Sequence, residues 1–225
     1  KQIAKKLIIM YLVIVLCKIF LAYFISSPTG FWDEYIYSKL ARSFFYNQEF
    51  SLSQNPSPFY PPLYPMILSI SYLFDNMQVV YLFMKIINAF ISTLIIIPGY
   101  LLVKEILRED QALKITALIS LLPISFSFSY YILAENLFLP LFLFSIYFIY
   151  KSLKENNIKN NSLAGIFIAL SFLTRNLGLI LILIYIVSHF SNKVFLKQKL
   201  NIKNLLFGVL IFSIIVSPWL IRNYM

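Results

Sequence analysis

The chain has 225 residues, 60% of them hydrophobic and 12% charged, with a mean hydropathy of +0.80 and a formal net charge of +10. A soluble domain carries about 25% charged residues. The apolar runs here are continuous rather than alternating, as in Leu94-Ile95-Ile96-Ile97, which excludes a soluble globule and a transmembrane β-barrel alike.

The first apolar run, 7–26, follows Lys1, Lys5 and Lys6. It is too long for a signal peptide and lacks a small-residue cleavage site, so it is expected to stay as a membrane anchor. It holds Cys17, the single cysteine, so no internal disulfide can form. It also holds Lys18, read as an internal ion-pair or snorkelling residue. Residues 27–60 are polar, with Ser27, Pro28, Gly30, Asn55, Pro56 and Pro58 marking turns. Inside this loop, 33–46 places Ile36, Leu40 and Phe44 at helical spacing, which predicts an amphipathic helix on the membrane surface. The stretch 59–75, FYPPLYPMILSISYLFD, ends at Asp75-Asn76. Its apolar part falls short of the roughly 20 residues a span needs, and it is expected to be an interfacial helix opened by Pro61-Pro62.

Further apolar runs follow at about 78–103, 112–133, 136–150, 161–174, 177–190 and 204–221, each read as a span. The short pair 161–174 and 177–190 is expected to form a hairpin meeting near Arg175. Three turns are basic: Lys104, Arg108 and Lys114; Lys151, Lys154 and Lys159; Lys193, Lys197, Lys199 and Lys203. If 59–75 does not cross, these turns and the N-terminus share one side, which then holds most of the 19 basic residues. Basic loops mark the cytoplasmic side, so the positive charge implies topology and no nucleic-acid partner. The predicted fold is all-α: a polytopic transmembrane helical bundle of about seven spans, with juxtamembrane amphipathic helices in a first external loop at 27–77. The N-terminus is expected in the cytoplasm of a multi-pass cell-membrane protein. Residues 1–225 read as a single transmembrane module. The start at Lys1 and the stop at Met225, directly after an apolar segment, predict a piece of a longer chain.

This topology sends the scarce charges to one external rim. Asp33 and Glu34 lie in the first external loop, Lys85 about two turns into the second span, Glu135 and Arg175 at span tips, and Arg222 after the last span. Ionisable groups at membrane depth are costly enough to be functional by default. Carboxylates can take a proton from a hydroxyl or hold a divalent cation, and arginine offers a fork matched to phosphate. Together they suit transfer from a phosphorylated lipid. Plainer readings stand beside each of these. Asp33 and Glu34 suit a helix N-terminus. Glu135-Asn136 can be a polar tip, Lys85, Arg175 and Arg222 snorkelling residues, and Tyr60 and Tyr64 interface aromatics. His189 reads as the end of a span.

Four stretches, WDEYIYSKLA at 32–41, PPLYPMILSISYLF at 61–74, LAENLFLPLFLF at 133–144 with LTRNLGL at 173–179, and PWLIRNY at 218–224, together resemble the GT-C superfamily of membrane glycosyltransferases. The likeness is to its protein O-mannosyltransferase and aminoarabinose-transferase-like branches. It implies a hexosyl or pentosyl transferase that uses a polyprenyl-phosphate sugar, dolichyl- or undecaprenyl-linked, on the external face. The acceptor would be a protein, lipid or glycan hydroxyl. Carried over, Asp33 would be the catalytic base, Glu34 would position a substrate, and Glu135 would assist. Lys85, Arg175 and Arg222 would face the donor phosphate. Tyr37, Tyr60 and Tyr64 would belong to the acceptor and surface-helix region. A divalent cation, Mg or Mn, is the one candidate cofactor, with Asp33 and Glu135 as its candidate ligands. The second acidic site is a single Glu rather than an acidic pair, which sets this chain apart from the family pattern. Two other classes fit the composition: a transporter or flippase of a lipid-linked sugar, and a non-catalytic membrane subunit. A transporter would place its charges within broken helices at the midplane of an internal repeat; no repeat is visible here.

Overall fold

The computed structural model describes residues 2–29, 32–53, 55–196 and 201–224. Lys1, Gly30, Lys197, Lys199 and Met225, invoked above, lie outside the described residues. The chain is helical almost throughout. In order come α1 (Gln2–Tyr23), α2 (Trp32–Asn47), a minimal hairpin of β1 (Ser51–Leu52) and β2 (Asn55–Pro56), and α3 (Leu63–Ser69) with a 3-10 turn at Ile70–Leu73. Then follow α4 (Met77–Thr93), α5 (Ile96–Lys104), α6 (Glu109–Ser120), α7 (Pro123–Tyr130) and α8 (Glu135–Glu155). The rest is α9 (Ile158–Thr174), a 3-10 turn at Asn176–Gly178, α10 (Leu179–Leu196) and α11 (Ile202–Tyr224).

Among the described residues, four helices are long and apolar enough to cross a membrane: Gln2–Tyr23, Met77–Lys104, Glu135–Glu155 and Ile202–Tyr224. The short runs expected at 161–174 and 177–190 are helices below that length, as is Leu63–Leu73. The run expected as one span over 112–133 is not a single helix. It breaks between α6 and α7, where Leu122 is extended at φ −60° and ψ 139°. Pro123 is the cause: it disfavours helical backbone at the residue before it, has no N–H to give, and is at home at the start of a helix.

The chain forms two compact units. The first comprises Lys1–Ser57 and Pro62–Pro140. In it α1 packs on α4, and α7 packs on both. Ile14, Val15 and Ala22 are buried on α1, and Val80, Met84 and Ala89 on α4. α2 packs on α3, where the Tyr37 and Tyr64 rings meet edge to face at 5.0 Å. The Ser38 and Tyr72 hydroxyls bond at 2.8 Å. The buried stripe of α2 is Glu34, Tyr37, Ser38, Leu40 and Ala41. The expected apolar face shares only Leu40 with it, and Ile36 and Phe44 are half-buried. Polar Glu34 and Ser38 enter the stripe because protein partners await them.

The second unit comprises Pro58–Pro61 and Leu141–Met225. α9 packs on α10 and, more extensively, on α11. Ile149, Ala164, Ile168, Leu181, Ile182, Tyr185 and Leu205 form its core. Phe167 of α9 stacks on Phe144 and Phe148 of α8 at 4.8 and 5.2 Å. α9 and α11 approach at Gly165 and Gly208, where a Cβ on Gly165 would collide with the Gly208 carbonyl. Glycine is required there by proximity, as in other close helix crossings within membranes.

Candidate active site

The adjacent acids at the head of α2 have different surroundings. Glu34 is fully buried. Its Oε2 accepts from the Thr29 amide at 2.7 Å and the Thr29 hydroxyl at 2.5 Å. Its Oε1 accepts from the Ile132 amide at 3.0 Å. A first-turn acid that reaches back to preceding backbone donors also suits the positive end of the helix. Asp33 precedes it by one position, about 100° around the helix. It is half-buried and makes no hydrogen bond or ion pair among the described residues.

Ile132 belongs to the short connection between α7 and α8, and this connection is clamped from three directions. Glu34 holds the Ile132 amide. The Asn88 side-chain amide donates to the Tyr131 carbonyl at 3.0 Å. The Asn136 amide donates to the Phe128, Tyr131 and Leu133 carbonyls at 2.9, 3.0 and 3.0 Å. Asn88 is itself fixed by the Tyr64 hydroxyl, which donates to its Oδ1 at 2.9 Å. Burial pushes the Tyr64 phenol well above its ordinary value, so it stays a donor. Glu135, the first residue of α8, emerges half-buried from this clamp. Asp33 and Glu135 thus hang on two elements that Glu34 joins. Tyr37 and Tyr64, expected near the acceptor on a surface helix, are instead core residues at 4% and 0% exposure. The α2–α3 packing accounts for this: each ring completes the other's burial.

Lys85, expected to face a phosphate, is buried on α4. Its ammonium donates to the Ala22 carbonyl at 2.8 Å and also to the Ile25 carbonyl. The last carbonyls of a helix lack intrahelical donors, and a cation there also meets the negative end of the dipole. Lys85 closes the C-terminal end of α1, and its charge interacts with that of Glu34.

In the second unit, Arg175 is an extended residue (φ −148°, ψ 138°) that ends α9. The arginine at the far end of α11, Arg222, lays its guanidinium 5.0 Å from the Trp219 ring centre and donates to Asn223 Oδ1 at 3.0 Å. Their sequence neighbours hold one strap of backbone. Asn176 donates to the Phe59 carbonyl at 3.0 Å and Asn223 to the Pro58 carbonyl at 3.4 Å. The structure therefore brings the ends of α9 and α11 to Pro58–Pro61, the segment that carries half-exposed Tyr60. Gly178 makes the turn after Arg175 possible, since a Cβ there would strike the Ser171–Phe172 backbone.

Among the described residues, no three His, Cys, Asp or Glu side chains gather as a metal site. Both oxygens of Glu34 are engaged by protein donors. Sequence reasoning passed over Thr29 and Asn88, and read Asn136 only as part of a polar tip. The signal was present: an Asn inside an apolar run is a polar group that must be satisfied internally.

Residues 60–221 match the family model described as dolichyl-phosphate-mannose-protein mannosyltransferase. No curated protein and no solved structure gives a significant match.

Proposed function

Because the chain belongs to the dolichyl-phosphate-mannose-protein mannosyltransferase family, integral-membrane glycosyltransferases of the GT-C type, we propose that it moves a sugar from a polyprenyl phosphate to an acceptor hydroxyl with Asp33 as base. The matched region begins at residue 60, so the assignment of Asp33 rests on the resemblance of the 32–41 stretch, with geometry in support. The observation that supports it is the contrast between the two neighbouring acids. Glu34 spends both oxygens on holding the fold, whereas Asp33 is partly exposed and has no partner among the described residues. A general base must be able to reach a substrate proton, and of the two only Asp33 has oxygens to offer.

In the proposed reaction the Asp33 carboxylate takes the proton of the acceptor hydroxyl. The acceptor oxygen forms a bond to the anomeric carbon as the bond from that carbon to the phosphate oxygen breaks. The electron pair leaves with the polyprenyl phosphate, and the anomeric configuration inverts. Glu135 orients the sugar or acceptor from the head of α8. Arg175 and Arg222 are the candidate partners of the phosphate, because their forked donors match its oxygens. The site is assigned to the external face and the basic turns to the cytoplasm, on the distribution of lysine and arginine.

The test is transfer of radiolabelled sugar from a polyprenyl-phosphate donor by membranes holding the full-length protein or its Asp33→Asn variant. Loss of transfer in the variant supports the assignment. Equal transfer by both removes Asp33 as the base.

A further inference from the structure

Lys18 lies on a membrane-spanning helix and is 2% exposed. One of its three donors goes to the Ser92 hydroxyl at 2.8 Å, and its charge lies 5.9 Å from the Phe126 ring centre. Among the described residues no carboxylate is within ion-pair distance of it. A buried ammonium without a counter-charge is strongly unfavourable at membrane depth, so a counter-charge is to be sought nearby. Beside Lys18 is a cavity of about 30 Å3, whose lining includes Ser92, Asn136 and one carboxylate, Glu135. Asn136 is 2% exposed. Its amide protons are all directed at carbonyls, while its Oδ1 is buried and accepts no hydrogen bond. A buried water needs about 10–15 Å3 and two to four polar partners. This cavity offers the space, spare donors on Lys18, and acceptors on Asn136 and Glu135.

We propose that Lys18 is a positioning residue for Glu135, holding its carboxylate at the head of α8 through a water shared with Asn136 Oδ1. The proposal rests on the reading of Glu135 as a carboxylate of the transfer site. Lys18 acts across the cavity from that carboxylate and touches no substrate. Its charge fixes where the Glu135 carboxylate sits.

The experiment is a double-mutant cycle on the full-length protein in lipid nanodiscs, with Lys18→Met, Glu135→Gln and the double variant, read first as thermal midpoints. Each single change leaves one group without its counterpart, so the double variant is expected to be more stable than the sum of the two losses. Where methionine is not tolerated, Lys18→Gln serves in the same cycle. In the transfer assay, Lys18→Met is expected to lower kcat about tenfold through misplacement of Glu135, with acceptor KM unchanged. Lys18→Arg, which keeps the charge, is expected to recover most of that loss. Additive midpoints overturn the proposal, as does an unaltered kcat in Lys18→Met where Glu135→Gln itself loses turnover. Turnover by Glu135→Gln tests the underlying reading separately. If it equals the parent's while the midpoints still couple, the Lys18–Glu135 link stands and the place of Glu135 in the reaction is what fails.

Discussion

Glu34 Oε1 accepts the Ile132 amide at 3.0 Å across 98 residues of sequence. This bond ties the helix carrying Asp33 to the connection that ends in Glu135. Removing the carboxylate strands three donors, the Thr29 amide and hydroxyl and the Ile132 amide. Glu34→Ala is therefore expected to cost about 3 kcal/mol, read as a lowered thermal midpoint in detergent. A midpoint equal to the parent's would show that the bond does not hold the connection.

Asp33→Asn is expected to behave oppositely. Asp33 has no partner to lose among the described residues, so its midpoint should stay at the parental value. Transfer should fall by about 10²–10⁴-fold, the usual contribution of a general base. Assaying stability and transfer on the same two preparations separates the adjacent acids.

Lys85→Met removes the donor on the Ala22 and Ile25 carbonyls. A loss of about 1–3 kcal/mol is expected, concentrated at the end of α1. Hydrogen exchange should show faster exchange at 22–26 than elsewhere on that helix. Uniform exchange along α1 would contradict a capping role.

Asn88→Leu keeps the volume and removes the polar link between the Tyr64 hydroxyl and the Tyr131 carbonyl. The buried Tyr64 hydroxyl then loses its acceptor, while the Tyr131 carbonyl keeps the Asn136 amide, at a cost of about 1–3 kcal/mol. The paired variant Asn88→Leu/Tyr64→Phe should recover part of this, because it no longer buries an idle hydroxyl. No recovery would mean that the hydroxyl has another use.

Gly178→Ala forces a methyl against the Ser171–Phe172 backbone. Overpacking of this kind costs about 1–3 kcal/mol. Because the turn opens directly beside Arg175, the apparent affinity for a polyprenyl phosphate should also weaken, measured by donor KM. An unchanged donor KM would detach Arg175 from the phosphate.

The sequence was most legible where solvent preference alone decides the outcome. Long apolar runs made α1, α4–α5, α8 and α11 visible, and the acids at 33–34 located the head of α2. It was least legible where protein supplies the partner. Lys85 looked available for a phosphate because nothing in its neighbourhood reveals that the end of α1, 60 residues earlier, needs a donor. Tyr37 and Tyr64 looked like residues of an acceptor-side surface helix because their edge-to-face meeting is a tertiary event. The break at Pro123 was readable from proline's missing N–H, but the even hydropathy of 112–133 hid it. The separate fates of Asp33 and Glu34 needed the position of Ile132, which no local pattern encodes.

The attachments of α1 also bear on biogenesis. The Lys18 ammonium finds Ser92 74 residues downstream, and the Ala22 carbonyl finds Lys85 63 residues downstream. A ribosome must finish α4 before either demand can be met. α1 consequently enters the insertion machinery with a bare cation and an open end, and its release into lipid becomes favourable only once its later companion arrives.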